Sequence, residues 1–307
     1  MTTGTSSLER LLHAGDAIGT PPRYVVDCLT ATAPHMCVIG TGAFGAVFSG
    51  RDIGTHGPVA IKAELKTAKV PQLVFEYGVL RELNGELGVP AVYWFGDHGD
   101  CNVLVMQRLG PSVTSVKHRL FQVPQRVSLV KHIARSVLQA LHALHRNGFV
   151  HRDLKPENML WETQPRTEDA FTLPRVYLID FGLAKRVWMP TTGVHVSCCT
   201  GKHLTGTPRY AAAHAHAGVE LSRRDDIESF GYVMIYLALG ALPWQCSEEY
   251  TGGEDERFTA MGRHKLKLAP EILAKGLPPV FADTITYART LAFEAMPNFK
   301  LLTAMWA

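Results

Sequence analysis

Four short strings hold most of the side chains in this chain that could do chemistry. The densest is His151-Arg152-Asp153-Leu154-Lys155-Pro156-Glu157-Asn158. Its carboxylate, ammonium and carboxamide can divide three tasks. Asp153 can accept a proton from a hydroxyl, Lys155 can neutralise a phosphoryl group in transfer, and Asn158 can ligate a metal. Asp180-Phe181-Gly182 follows the apolar run Val176-Tyr177-Leu178-Ile179. A strand there would deliver a carboxylate to a turn, where Asp180 can hold Mg2+ against the phosphates of ATP. Val59-Ala60-Ile61-Lys62 sets an ammonium in an apolar strand. Such a lysine is costly to bury alone. It either snorkels out at the strand end or finds a carboxylate, and Glu76 on the next predicted helix is the candidate. Taken alone, Glu76 reads as a solvated helix residue. Finally, Gly40-Thr41-Gly42-Ala43-Phe44-Gly45-Ala46-Val47 spaces its glycines so that backbone N–H groups can approach phosphate oxygens. That pattern also fits a dinucleotide-binding turn or an ordinary loop. The dinucleotide reading needs a helix directly after the glycines, whereas Ala46-Val47-Phe48 continues as a strand.

The elements that must position these groups follow from periodicity. Residues 37–48 and 58–65 read as strands, separated by the Gly57-Pro58 break. Pro71 can open a helix, along which Leu73, Tyr77, Leu80 and Leu83 recur at helical spacing. Val92–Phe95 and Asn102–Met106 read as two more strands around a turn at residues 96–99. The character changes at Leu109-Gly110-Pro111. From Arg126 to Arg146, the residues Val130, Ile133, Val137, Leu141 and Leu144 mark an amphipathic helix, and Ile227–Leu239 reads as a helix buried on most sides. The tail from Pro270 is helical, broken at Pro278-Pro279 and Pro297. The expected fold is α+β and bilobal: an antiparallel-sheet lobe with one helix over about 35–108, and a larger helical lobe over about 109–307. Residues 1–34 read as an N-terminal extension with a short helix around Leu8–Leu12.

The bulk properties of the 307-residue chain fit this. Hydrophobic residues make up 46%, enough for a sizeable core. A net charge of +3 is too mild to argue for nucleic acid or a membrane surface as partner. No apolar run reaches the roughly 20 residues of a membrane span, and the N-terminus has no secretory-signal pattern. Six scattered cysteines read as reduced thiols. The expected location is cytoplasmic, nuclear or both, with a monomer as the default.

In this order, and with these contexts, the strings resemble the protein-kinase family. Within it, Leu204-Thr205-Gly206-Thr207-Pro208-Arg209-Tyr210-Ala211 is similar to the casein kinase 1 group. So is Ser222–Tyr232, running on to Leu242-Pro243-Trp244-Gln245. Asn102–Met106 with Leu109-Gly110-Pro111-Ser112 resembles that group's hinge, and Pro71-Gln72-Leu73 with Glu76 resembles its regulatory helix. The Ala-Pro-Glu triplet that ends the activation segment of most kinases is absent from that position, as in this group. The tail Pro297–Thr303 also resembles tau-tubulin kinase-like members.

The resemblance implies ATP and Mg2+ as cofactors and Ser/Thr protein substrates, the spacing of Lys155 being that of Ser/Thr kinases. It implies Met106 as gatekeeper, backbone hydrogen bonds to adenine from Gln107 and Leu109, and a base held among Ile39, Val47, Ala60, Leu160 and Ile179. It makes Asp226 the brace of the catalytic loop and sets Thr207 against Asp153 and Lys155. Arg209, with Arg257 in place of a missing lysine, would form a substrate anion site, and Arg224 remains nearby. Several positions depart from the group: the string Leu-Lys-Pro-Glu-Asn, Ala212-Ala213-His214 after Tyr210-Ala211, an enlarged loop at Glu162–Leu173, and acidic residues from Glu248 to Glu256. The last implies a weakened preference for phosphate-primed or acidic substrates. Two competing readings are a pseudokinase scaffold, which loss of Lys62, Asp153, Asn158 or Asp180 would favour, and a small-molecule kinase. All four residues are present.

Overall fold

The computed structural model describes residues 11–27, 37–42, 45–114, 126–163, 173–245 and 253–307. The chain divides into two compact units: Met1–Gly85 with Val89–Gly110, and Glu86–Gly88 with Pro111–Ala307.

The first unit is an antiparallel sheet with one helix. Its strands are β1 (Ala17–Ile18), β2 (Tyr24–Val26), β3 (Val38–Thr41), β4 (Ala46–Asp52), β5 (Pro58–Leu65), β6 (Val92–His98) and β7 (Cys101–Gln107), with α1 (Leu73–Glu82) between β5 and β6. The order is β1-β2-β4-β5-β7-β6, and β3 also pairs with β4. Period-two alternation along β5 sets the two faces. Val59, Ile61 and Ala63 join Phe48, Val103 and Val105 in a buried apolar cluster. Ala60, Lys62 and Glu64 alternate with them, and the register sets Lys62 opposite Val47 and Ala60 opposite Met106. One face is therefore core and the other carries the ammonium.

The N-terminal extension of the sequence reading changes status here. Its described part, residues 11–27, belongs to the sheet, and Leu12, Ile18, Tyr24 and Val26 complete the apolar cluster. The cause is the length of β4. The pairing of β3 reaches only from Ala46 to Phe48, and β2 takes the remainder, Tyr24 against Asp52 and Val26 against Gly50. A free edge is thereby closed. Gly50 permits the approach, since a Cβ there would lie 2.7 Å from the Val25 carbonyl oxygen. Of the helix expected around Leu8–Leu12, residues 8–10 lie outside the described residues, while Leu11 and Leu12 are not helical.

The second unit is mainly helical: α2 (Arg126–Arg146), α3 (Ala213–His216), α4 (Arg223–Leu239), α5 (Glu254–Lys267), α6 (Pro270–Leu273), α7 (Val280–Thr290) and α8 (Phe299–Met305). Two small ribbons cross it: β9 (Met159–Trp161) with β10 (Val176–Leu178), and β8 (Phe149–Val150) with β11 (Lys185–Arg186). The stripe predicted on α2 is buried, from Val130 and Ile133 to Leu141 and Leu144. Helix α4 starts four residues before its apolar run, at Arg223, because Ser222 and Asp225 form a capping box. It packs along α7, and Trp306 closes that corner, its indole N–H donating to Thr284 Oγ1 at 3.0 Å. Most of the enlarged loop, residues 164–172, and residues 248–252 of the acidic stretch lie outside the described residues.

Candidate active site

In the first unit the lysine of β5 has its carboxylate. Lys62 Nζ lies 2.6 Å from Glu76 Oε2, and the Glu76 side chain is only 3% exposed. Glu76 is thus buried rather than solvated, and α1 is seated on the sheet by an ion pair that neither partner could be buried without. Two residues along the same strand face, Glu64 accepts the N–H groups of Gln72 and Leu73 at 2.9 and 3.1 Å. One face of β5 thereby both caps α1 and charges it. Nothing in the sequence beyond alternation marks Glu64 for that role. The glycine turn is held by Gly42 N–H donating to Gly45 O at 2.9 Å. Ile39 lies on β3, Val47 on β4, Ala60 on β5, and Met106 and Gln107 on β7. The Gln107 N–H is committed to the Ala91 carbonyl at 2.8 Å, and Leu109 is buried.

In the second unit the loop between β8 and β9 is organised around two aspartates. Asp226, at the start of α4, is 2% exposed. Its Oδ2 accepts from His145 Nε2 at 2.8 Å and from His151 N–H at 2.8 Å, and its Oδ1 accepts from Arg152 N–H at 2.9 Å. Burial acts to raise this carboxyl, but the bonds from His145 and the backbone outweigh it and hold it below the usual carboxylate range. Burial pushes His145 down, so it is a neutral donor. The bond to Arg152 matters because that residue has φ +68°, a left-handed conformation costly for a side chain of its size. The Arg152 side chain is tied to the Leu183 carbonyl at 2.7 Å.

Asp153 is then presented with both oxygens engaged. Oδ1 accepts from Thr207 N–H at 2.8 Å and from Thr207 Oγ1 at 2.7 Å. Oδ2 lies 2.6 Å from Lys155 Nζ. Thr207 and Lys155 take opposite oxygens of the carboxylate. Asn158 Nδ2 donates to the Asp153 carbonyl at 3.1 Å, and the Asn158 carbonyl accepts from Ile179 N–H at 2.9 Å. The residue before Asp180 is thus bound to Asn158, and Asp180 itself has φ +65°. Leu160 lies on β9 and Ile179 directly follows β10. Gly206 lets Thr207 come this close: its φ is +89°, and a Cβ there would lie 2.2 Å from the Arg152 carbonyl oxygen.

Beside this carboxylate opens a cavity of about 490 Å³, lined by Lys155, Pro208, Arg209, Tyr210, Trp244, Arg257, Phe258 and Met261 among others. The two arginines predicted as an anion site are therefore in one cavity with Lys155. Arg224 is not: its guanidinium turns to the Leu291 carbonyl at 3.2 Å. A second pocket is lined by Arg152, Lys185, Lys202 and His203 together with Glu220. Glu220 lies 2.7 Å from Lys185 and 3.4 Å from Lys202. Residues spread from 152 to 220 make that cluster, which the sequence could not show.

The family model for the protein kinase domain matches residues 35–275. The chain belongs to the protein kinase family. A phosphotransferase of this family uses ATP and usually Mg2+. The donors in this kinase fit that ion, since Asn158, its amide nitrogen already committed, has its amide oxygen left for a metal, and Asp180 brings a carboxylate. Hard oxygen ligands of this kind suit Mg2+. Sequence reasoning missed the residues beneath the Pro208–Ala211 loop of the kinase. Lys265, which no sequence motif marks, is fully buried there.

Proposed function

We propose that this kinase is a Ser/Thr protein kinase of the casein kinase 1 group, catalytically competent, acting in the cytoplasm, the nucleus or both. The observation that carries the reading is the double engagement of Asp153. Thr207 holds one oxygen and Lys155 the other, so the carboxylate has a fixed aim and an ammonium beside it. Asp153 accepts the proton of the acceptor hydroxyl as that oxygen attacks phosphorus. Lys155 balances the charge of the group in transfer. Lys62, aimed by Glu76, meets the nucleotide phosphates, and Val47, Ala60 and Met106 form the apolar side of the sheet offered to the base. Asn158 and Asp180 would hold Mg2+, which would supply charge neutralisation to the phosphates. The group assignment rests on Leu204–Ala211, Ser222–Tyr232 and Leu242–Gln245, and on the lack of an Ala-Pro-Glu triplet at the end of the activation segment. Radiolabel transfer from Mg-ATP to casein tests the reading, with phosphoamino-acid analysis of the product. Phosphoserine or phosphothreonine above an Asp180→Asn control is expected. No transfer above that control, with nucleotide binding retained, sinks it in favour of a pseudokinase. A positional-scanning peptide screen with strong selection for upstream phosphoserine or aspartate would refute the weakened preference for primed or acidic substrates.

A further inference from the structure

We infer that Lys265 is a positioning residue for protein-substrate recognition: its buried ammonium ties the Pro208–Ala211 loop to helix α5 and so sets two walls of the cavity beside Asp153. The inference builds on the phosphotransfer reading above. Lys265 Nζ donates to the carbonyl oxygens of Pro208 and Ala211, each at 2.7 Å, and lies 3.0 Å from His216 Nε2. The rings of Tyr232 and Trp244 stand 5.3 and 5.0 Å away. Carbonyls on one side and aromatic faces on another make a cage suited to an ammonium. Burial pushes this lysine well below its usual pKa, a cost an apolar side chain in the same place would not carry.

The backbone of Lys265 is fixed as firmly as its side chain. Its carbonyl accepts from Arg289 Nη2 at 2.6 Å, Arg289 Nε lies 3.1 Å from Glu228, and Glu228 accepts the Ala213 N–H at 3.2 Å. Trp244 Nε1 donates to the Arg209 carbonyl at 2.7 Å. The carbonyls of residues 208, 209 and 211 are thus all held from the interior. Outward, the loop gives Pro208, Arg209 and Tyr210 to the cavity, and α5 gives Arg257, Phe258 and Met261. Lys265 joins the two contributors. Thr207 anchors the other end of the loop directly on Asp153, so the two ends are held separately. Loosening the Lys265 end changes how a protein substrate is held and leaves the catalytic carboxylate aimed.

The test is Lys265→Met, which keeps the stem against Tyr232 and Trp244 and removes the donors. Expected are a casein KM raised about tenfold, as for the loss of donors to two buried carbonyls, with kcat and the KM for ATP changed by less than about threefold. Hydrogen exchange of the Tyr210 and Ala211 amides should speed up while that of α2 and α4 does not. Unchanged casein KM and unchanged exchange at these amides overturn the inference. Equal losses in kcat and in both KM values do the same, because they mark general damage. If wild-type protein fails to phosphorylate casein, the functional reading fails while the exchange measurement still decides whether Lys265 holds the loop. Should Lys265→Met not fold, Lys265→Leu, which also removes the donors, is read the same way. Unfolding of both would overturn the inference by making Lys265 a folding residue.

Discussion

Replacing Asp226 by Asn changes one atom and separates the two jobs of this carboxylate. Its Oδ2 serves His145 and the His151 N–H, and its Oδ1 serves the Arg152 N–H. The asparagine carbonyl can keep the first position, but the amide NH2 then faces the Arg152 N–H, donor against donor. One buried N–H is left unmet, at about 1–3 kcal/mol, and two charge-assisted bonds drop to neutral strength, each losing about 1 kcal/mol. The total of roughly 3–5 kcal/mol corresponds to a drop in Tm of about 10 °C for a unit of this size. The functional consequence is specific. Arg152 sits at φ +68°, and its N–H bond is part of what holds it there. Freed, it relaxes toward an ordinary conformation and carries Asp153 with it. The expected phenotype is a fall in kcat of at least about tenfold with KM for ATP nearly unchanged, since the loss is confined to the transition state. Differential scanning fluorimetry and steady-state casein phosphorylation measure both. A Tm within about 2 °C of wild type, together with an unchanged kcat, would refute the bracing role.

Lys62→Met leaves Glu76 buried without its ammonium. We expect kcat/KM for ATP to fall by about a hundredfold or more and Tm to drop, consistent with the roughly 3–5 kcal/mol of a broken buried pair. Full ATP turnover in this variant would show that Lys62 serves only the helix. Ile18→Ala, outside the 35–275 match but fully buried, should cost about 2–5 kcal/mol; an unchanged denaturation midpoint would mean that residues 11–27 are dispensable to the sheet. Burial, then nearby Lys265, pushes His216 down to about 4. The unfolded chain therefore binds that proton first as pH falls, and stability present above about 6.5 is lost progressively down to about 4. A shift of that size amounts to about 3 kcal/mol, and His145 acts in the same direction. His216→Gln should flatten the plot of Tm against pH over this window, and a curve parallel to wild type would count against the assignment.

The sequence by itself determined the identity and order of the catalytic strings, the sheet-then-helix organisation, and the buried stripe of helix α2. These are local properties. Glycine spacing, a lysine in an apolar strand and a 3.6-residue period are written within a few residues of one another. The tertiary structure alone decided what depends on residues far apart in the chain. The pairing of Tyr24–Val26 with Gly50–Asp52 turned an apparent extension into core, because an edge strand is recognised only by the partner it lacks. The same holds for Glu64 capping α1 across the turn and for Glu220 standing among Lys185 and Lys202. Lys265 is the extreme case. Nothing in the string His264-Lys265-Leu266-Lys267 marks it for burial, which follows only from two carbonyls and a histidine lying 49 to 57 positions before it. Charge and period are local, whereas the satisfaction of a buried charge is not, and this is why the sequence showed which groups could react and the fold showed what holds them in place.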